Sequence, residues 1–60
     1  MTVREVMKVL KKDGWYKVGQ EGSHIQMEHD SKKGKVTVPS HNGDIRIKTL
    51  HSILKQAGLK

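Results

Sequence analysis

The stretch WYKVGQEGSHIQMEH, Trp15 to His29, holds two runs of β-forming residues around a knot of glycine and polar residues. In its second half, apolar Ile25 and Met27 alternate with His24, Gln26 and Glu28. A period of two puts the apolar pair on one face of a strand and the histidine, glutamine and glutamate on the other. The first half, Trp15-Tyr16-Lys17-Val18, is aromatic and β-branched and reads as the preceding strand, with Gly19-Gln20-Glu21-Gly22 as the hairpin loop. Which face that strand buries is open, because Trp15 and Tyr16 are adjacent and cannot both point inward.

Downstream, Asp30-Ser31-Lys32-Lys33-Gly34 has turn chemistry, and Lys35-Val36-Thr37-Val38 reads as a third strand with the valines inward and Lys35 and Thr37 outward. Pro39 is expected to end it, since proline cannot donate to a ladder. Ser40 to Asp44 then forms a loop. Upstream, Val3, Val6, Met7 and Leu10 fall at i, i+3, i+4 and i+7, which gathers one apolar stripe on a helix. Thr2 and Glu5 have the spacing of a capping box, Lys8, Lys11 and Lys12 lie toward the helix C-terminus, and Gly14 is a natural stop. Leu50, Ile53, Leu54 and Ala57 repeat the stripe before Gly58, predicting a second amphipathic helix. Two helices with one apolar stripe each, and a three-stranded meander with one apolar face, satisfy each other by stacking both helices on the same side. The expected fold is α+β in the order α-β-β-β-α, one domain over residues 1–60, with the second sheet face open.

Composition narrows the function. A chain of 60 residues has one thin core, since a domain of this size buries only roughly 60% of the surface its unfolded form exposes. A deep cofactor cavity does not fit. Cysteine is absent, which removes disulfides and thiolate metal sites and suits a reducing compartment. No apolar run approaches the roughly 18 residues of a membrane span, and the first residues lack the apolar core of a signal peptide. A cytoplasmic protein with no membrane association is expected. Twelve Lys and Arg against six acidic residues give a formal charge of +6, which favours a polyanionic partner, nucleic acid first among them. Solubility alone also explains net charge.

The open face is expected to carry His24, Gln26, Glu28, Lys35 and Thr37. Imidazole can exchange a proton near neutral pH, so a histidine there could take one from a ribose 2′-hydroxyl or give one to a leaving 5′-oxygen. Gly22 permits close backbone approach, and the Ser23 hydroxyl could hold a phosphate oxygen or orient the histidine. A solvated strand histidine is the plainer reading. Of the other histidines, His29 has inward parity and fills the edge of the core or reaches the turn, His51 sits off the second helix's stripe, and His41 lies in a loop that could bring a second proton carrier. Lys8, Lys11, Lys12, Lys32, Lys33, Lys35, Lys48, Lys55 and Lys60 could track a phosphate backbone, which confers affinity without sequence choice. There is no metal-binding histidine spacing and no phosphate-cradling glycine loop, so neither a metal nor a nucleotide cofactor is expected.

The segments KKDGWY (Lys11 to Tyr16), GSH (Gly22 to His24), GKVTVPSH (Gly34 to His41) and TLHSILKQAGL (Thr49 to Leu59) resemble, in order and spacing, the HicA toxin family of HicA-HicB toxin-antitoxin modules. The resemblance covers nearly the whole chain. It implies a fold like the double-stranded RNA-binding domain, metal-independent cleavage of mRNA that inhibits translation, a catalytic histidine at the GSH position, here His24, and a HicB antitoxin that masks it. Gly22, Ser23, Gln26 and Lys35 are then candidates for substrate contact. Ile47-Lys48-Thr49 departs from the family, which usually has glycine before the threonine, and leaves the start of the second helix open. The runner-up is a non-catalytic double-stranded RNA-binding module, for which Lys48-Thr49-Leu50-His51 is sparse in cations; a third reading is a protein-docking domain.

Overall fold

The computed structural model describes residues 1–40 and 43–59. The elements run α1 (Val3–Asp13), β1 (Trp15–Glu21), β2 (His24–His29), β3 (Val36–Pro39) and α2 (Ile47–Gln56). The strands form one antiparallel sheet in the order β1-β2-β3. Val6, Leu10, Ile53 and Ala57 of the two helical segments share a single buried cluster with Trp15, Ile25, Met27, Val36 and Val38. Both helices therefore cover the same sheet face, and the double-stranded RNA-binding-domain-like α-β-β-β-α architecture is present. Among the described residues, no helix is long and apolar enough to cross a membrane.

The ends of α1 follow from local chemistry. The Thr2 hydroxyl accepts from the Glu5 amide at 3.2 Å while the Glu5 carboxylate accepts from the Thr2 amide at 2.9 Å, completing the capping box. The bond from the Thr2 amide, and after it one that the Thr2 hydroxyl donates to Glu5 Oε1 at 3.1 Å, hold the Glu5 carboxyl below its ordinary pKa. Gly14 ends the helix at φ 108°, a left-handed conformation that glycine adopts without a Cβ penalty. A Cβ there would also stand 2.6 Å from the His29 ring, so the stop serves packing as well as backbone geometry. At the far end, the Gly58 amide donates to the Lys55 carbonyl and the Leu59 amide to the Leu54 carbonyl, the paired bonds of a Schellman closure. The start of α2, open in the sequence, is Ile47, preceded by Arg46 with no side-chain cap.

Four points revise or extend the sequence reading. First, β1 continues through Gly19, Gln20 and Glu21, so the loop is only Gly22-Ser23. Gly22 at φ 56° followed by a residue of negative φ is the order demanded by a type II′ hairpin turn. Second, Pro39 lies inside β3, paired with His24; β3 is an edge strand, where a missing donor costs nothing. Lys35 precedes the strand. Third, Ile45 joins the core at 5% exposure, held by an Ile45 amide to Met1 carbonyl hydrogen bond and a Thr2–Asp44 bridge. Its lack of a periodic neighbour hid it. Fourth, Leu50 is only half-buried and packs against the core from its margin.

The open question of β1 parity is settled by the indole. Trp15 is buried at 2% exposure and Tyr16 lies outward at 43%. The buried ring keeps its N–H satisfied, donating to Asp13 Oδ2 at 3.2 Å, as an apolar ring with one polar edge requires. Tyr16 donates its hydroxyl to Asp30 Oδ1 at 3.1 Å, which pushes the phenol pKa up.

His29 does both things its parity allows. Its ring meets Trp15 edge-on at 5.2 Å between centroids, and its Nδ1 accepts the Ser31 and Lys32 amides at 2.9 and 3.2 Å. With Nδ1 accepting, the proton sits on Nε2, which donates to the Asp13 carbonyl at 2.7 Å. Lys32 completes the clasp, donating to Asp13 Oδ2 at 2.6 Å and to the Ala57 carbonyl at 2.9 Å. The β2–β3 turn thus ties the C-terminal ends of the two helices together.

The Lys32 hydrogen bond is the main reason the Asp13 carboxyl titrates below its ordinary range. A depressed carboxyl contributes stability above its unfolded pKa, about 3.9, and that stability is lost as pH falls through the folded value. Lys32→Met should therefore destabilise most above about pH 4, with the difference narrowing in stronger acid to the share that the Ala57 carbonyl bond contributes. Urea midpoints across that range test this; a gap independent of pH would remove the carboxylate from the explanation.

Candidate active site

The open face is laid out by the ladder. His24, Gln26 and Glu28 project from β2, as the alternation in the sequence predicts, and cross-strand partners extend three rows: Glu21–His24–Pro39, Gly19–Gln26–Thr37, and Tyr16–Glu28. His24 is exposed and Gln26 half-buried. Gly19 contributes no side chain to the middle row and has open space where a Cβ would be, so the flank of Gln26 is low and accessible.

His24 is the first residue of β2, immediately after the Gly22-Ser23 turn. This end of the hairpin is fastened from the other side: the Ser40 amide donates to the Ser23 carbonyl at 2.6 Å, extending the β2–β3 pairing past Pro39. The imidazole is therefore carried on a backbone hydrogen-bonded along both edges, with its ring facing solvent. A position of this kind is rigid at Cα and open at the ring, which suits a proton carrier acting on a bound chain. Gly22 has open space around its absent Cβ, and Ser23 is exposed beside it.

Lys35 lies at the other end of the face. Its ammonium is 3.8 Å from Glu28 Oε2, and Glu28 is four residues from His24 along β2, roughly 13 Å at strand rise. Lys35 and His24 consequently address different parts of a bound ligand. Lys32 is engaged with Asp13 and Ala57, which takes it out of the set free to follow a phosphate backbone. His51 is exposed on α2, while His41 and Lys60 lie outside the described residues.

One residue of the face is absent from the sequence reading. Glu21, assigned to a loop by its glycine neighbours, stands directly across from His24. A β-bulge puts it there. The register shifts between Lys17 and Gly19, leaving Val18 as the extra residue, and one extra residue moves every later side chain of the strand to the opposite face. Counted from buried Trp15 without the bulge, Glu21 would point into the core; with it, Glu21 faces solvent beside the histidine. Nothing in Val18, a good strand former, announces the bulge.

Comparison with known proteins identifies the family of the chain. The family described as HicA toxin of bacterial toxin-antitoxin matches residues 3–59. Among solved structures, a chain of "Toxin-Antitoxin complex from Streptococcus pneumoniae" is similar at 40% identity and a TM-score of 0.83, over 98% of both chains. No curated protein matches.

Proposed function

The chain belongs to the HicA toxin family, and from that premise we propose that it is an endoribonuclease that cleaves mRNA, with His24 as the principal proton carrier. The observation that carries the reading is His24 itself: exposed, at the mouth of a two-residue turn, on a sheet face that both helices leave uncovered. Imidazole exchanges protons near neutral pH, and RNA brings its own nucleophile in the 2′-hydroxyl, so the reaction needs a positioned proton carrier and a held phosphate. Gly22 and Ser23 are the proposed contacts at the scissile phosphate. Gln26, one row along, is placed for an adjacent nucleotide, and Lys35 for a more distant phosphate. The +6 charge supports association with the polyanion.

The proposed cellular setting is a cytoplasmic type II toxin-antitoxin pair, in which a HicB antitoxin covers the His24 face and silences the enzyme. The Streptococcus pneumoniae toxin-antitoxin complex, similar over nearly the whole chain, supports an antitoxin partner of some kind.

The test is cleavage of an end-labelled mRNA by the purified protein in excess EDTA, with the product ends identified. The expected products are 2′,3′-cyclic phosphate and 5′-hydroxyl termini, the outcome of attack by the internal nucleophile. Products with 5′-phosphate ends, or activity abolished by EDTA, would sink the metal-independent mechanism. An intact RNA bound by folded protein would favour the non-catalytic RNA-binding reading.

A further inference from the structure

Transphosphorylation moves two protons, one off the 2′-hydroxyl and one onto the leaving 5′-oxygen, and one imidazole cannot begin a turnover in both states. Resting on the ribonuclease reading above, we propose that Glu21 is the general base of the reaction and His24 its general acid. The Glu21 carboxylate takes the proton from the ribose 2′-hydroxyl as that oxygen forms its bond to phosphorus. The bond from phosphorus to the 5′-oxygen breaks, and the His24 imidazolium delivers its proton to that oxygen. The products are a 2′,3′-cyclic phosphate and a 5′-hydroxyl, with Glu21 protonated and His24 neutral; exchange with water restores both.

Three observations converge on Glu21. The first is position: Glu21 and His24 are the pair that closes the hairpin, Cα partners across the ladder, and opposite residues on one face hold their Cβ atoms about 4.5–5.5 Å apart. Two side chains of that length, splaying from adjacent points, can bracket a phosphodiester. The second is elimination among the chain's six carboxylates. Glu5 is held in the capping box, Asp13 by Lys32 and Asp30 by Tyr16, Glu28 faces Lys35 at 3.8 Å at the other end of the face, and Asp44 lies on a backbone bridge to Thr2 outside the three strands. Glu21 is exposed, and among the described residues its carboxylate enters no ion pair or hydrogen bond. The third is the cost of the arrangement. A bulge in β1 interrupts the ladder, and here its effect is to turn Glu21 out of inward parity and onto the histidine's face.

Lys35 cannot take the second role from its place at the other end of the face, paired with Glu28. Ser23 is adjacent, but a hydroxyl is a poor base at neutral pH.

The experiment is the pH dependence of single-turnover cleavage of the labelled mRNA between about pH 3.5 and 9, for the parent, Glu21→Gln and Glu21→Asp, since a catalytic acid and base together give a bell-shaped profile. Glu21→Gln should lower the rate at the optimum by about 10²–10⁴-fold and flatten the acidic limb, whereas Glu21→Asp should keep that limb with a smaller loss. Circular dichroism should show both variants folded, because the side chain is exposed. A Glu21→Gln protein that cuts at the parental rate, or loses rate with its acidic limb unchanged, overturns the assignment while leaving the ribonuclease reading intact. A parent that cuts no RNA overturns both.

Discussion

Replacement of His24 by alanine should lower the rate of RNA cleavage by about 10²–10⁴-fold, the usual contribution of a positioned general acid or base, and more if the imidazole also holds the phosphate. The fold should be indifferent. His24 is exposed, and among the described residues its side chain makes no hydrogen bond or ion pair, so stability should stay within about 0.5 kcal/mol of the parent. This separation gives the variant its value: a catalytic loss in a protein with an unchanged urea midpoint cannot be attributed to unfolding. RNA affinity should change little, since charged groups spread over the surface dominate phosphate binding. Equal cleavage by parent and His24→Ala would return the histidine to the solvated surface and leave the activity without its proposed reagent.

The opposite result is expected at Trp15, where stability goes and chemistry goes with it. Trp15→Ala should cost about 3–5 kcal/mol, the range for emptying a buried aromatic site. A domain of 60 residues has only about 3–9 kcal/mol in total at the usual value per residue, so a third or more of the folding stability, up to all of it, is lost at 25 °C. Trp15 is buried at 2%, stacks edge-on with His29 and donates to Asp13. It therefore connects the core to the clasp in which His29 and Lys32 secure the ends of both helices. Trp15→Phe keeps an apolar ring and surrenders the indole hydrogen bond, and should lose less than half as much. Far-UV circular dichroism during urea unfolding measures both variants; a Trp15→Ala protein within about 1 kcal/mol of the parent would show that the core closes over the gap.

The alkaline-to-acid behaviour of the clasp and the function of the open face are independent in this chain. Lys32 and Asp13 sit at the Trp15 end of the hairpin, and Glu21 and His24 at the turn end. Acid-induced loss of the Asp13–Lys32 contribution should therefore affect the rate only through unfolding, which allows the pH profile of cleavage to be read above that range.

Much of this architecture is decided within short windows of sequence. The stripe of α1, its Thr2-Glu5 box and its Gly14 stop depend on contacts within one helical turn, and alternation from His24 to Glu28 assigns each side chain of β2 to a face without reference to anything distant. The single-sided patterns of the two helices, β2 and β3 then require both helices on one side of the sheet, so the exposure of His24 follows from the sequence. What the tertiary structure alone decided lies where pairing across strands overrides local pattern. Gly19 and Gly22 suggest a four-residue loop, yet the ladder accepts Gly19, Gln20 and Glu21 as strand because Gln26, Ile25 and His24 supply partners for them. The bulge at Val18 has no local signature, since it is a mismatch in count between two strands, and it reverses the parity on which the placement of Glu21 depends. Ile45 enters the core beside its hydrogen bond to the N-terminal segment, a contact between segments far apart in sequence that no periodicity encodes. Local propensity chose the elements and the face of the histidine; register, a property of two strands together, chose the carboxylate that stands beside it.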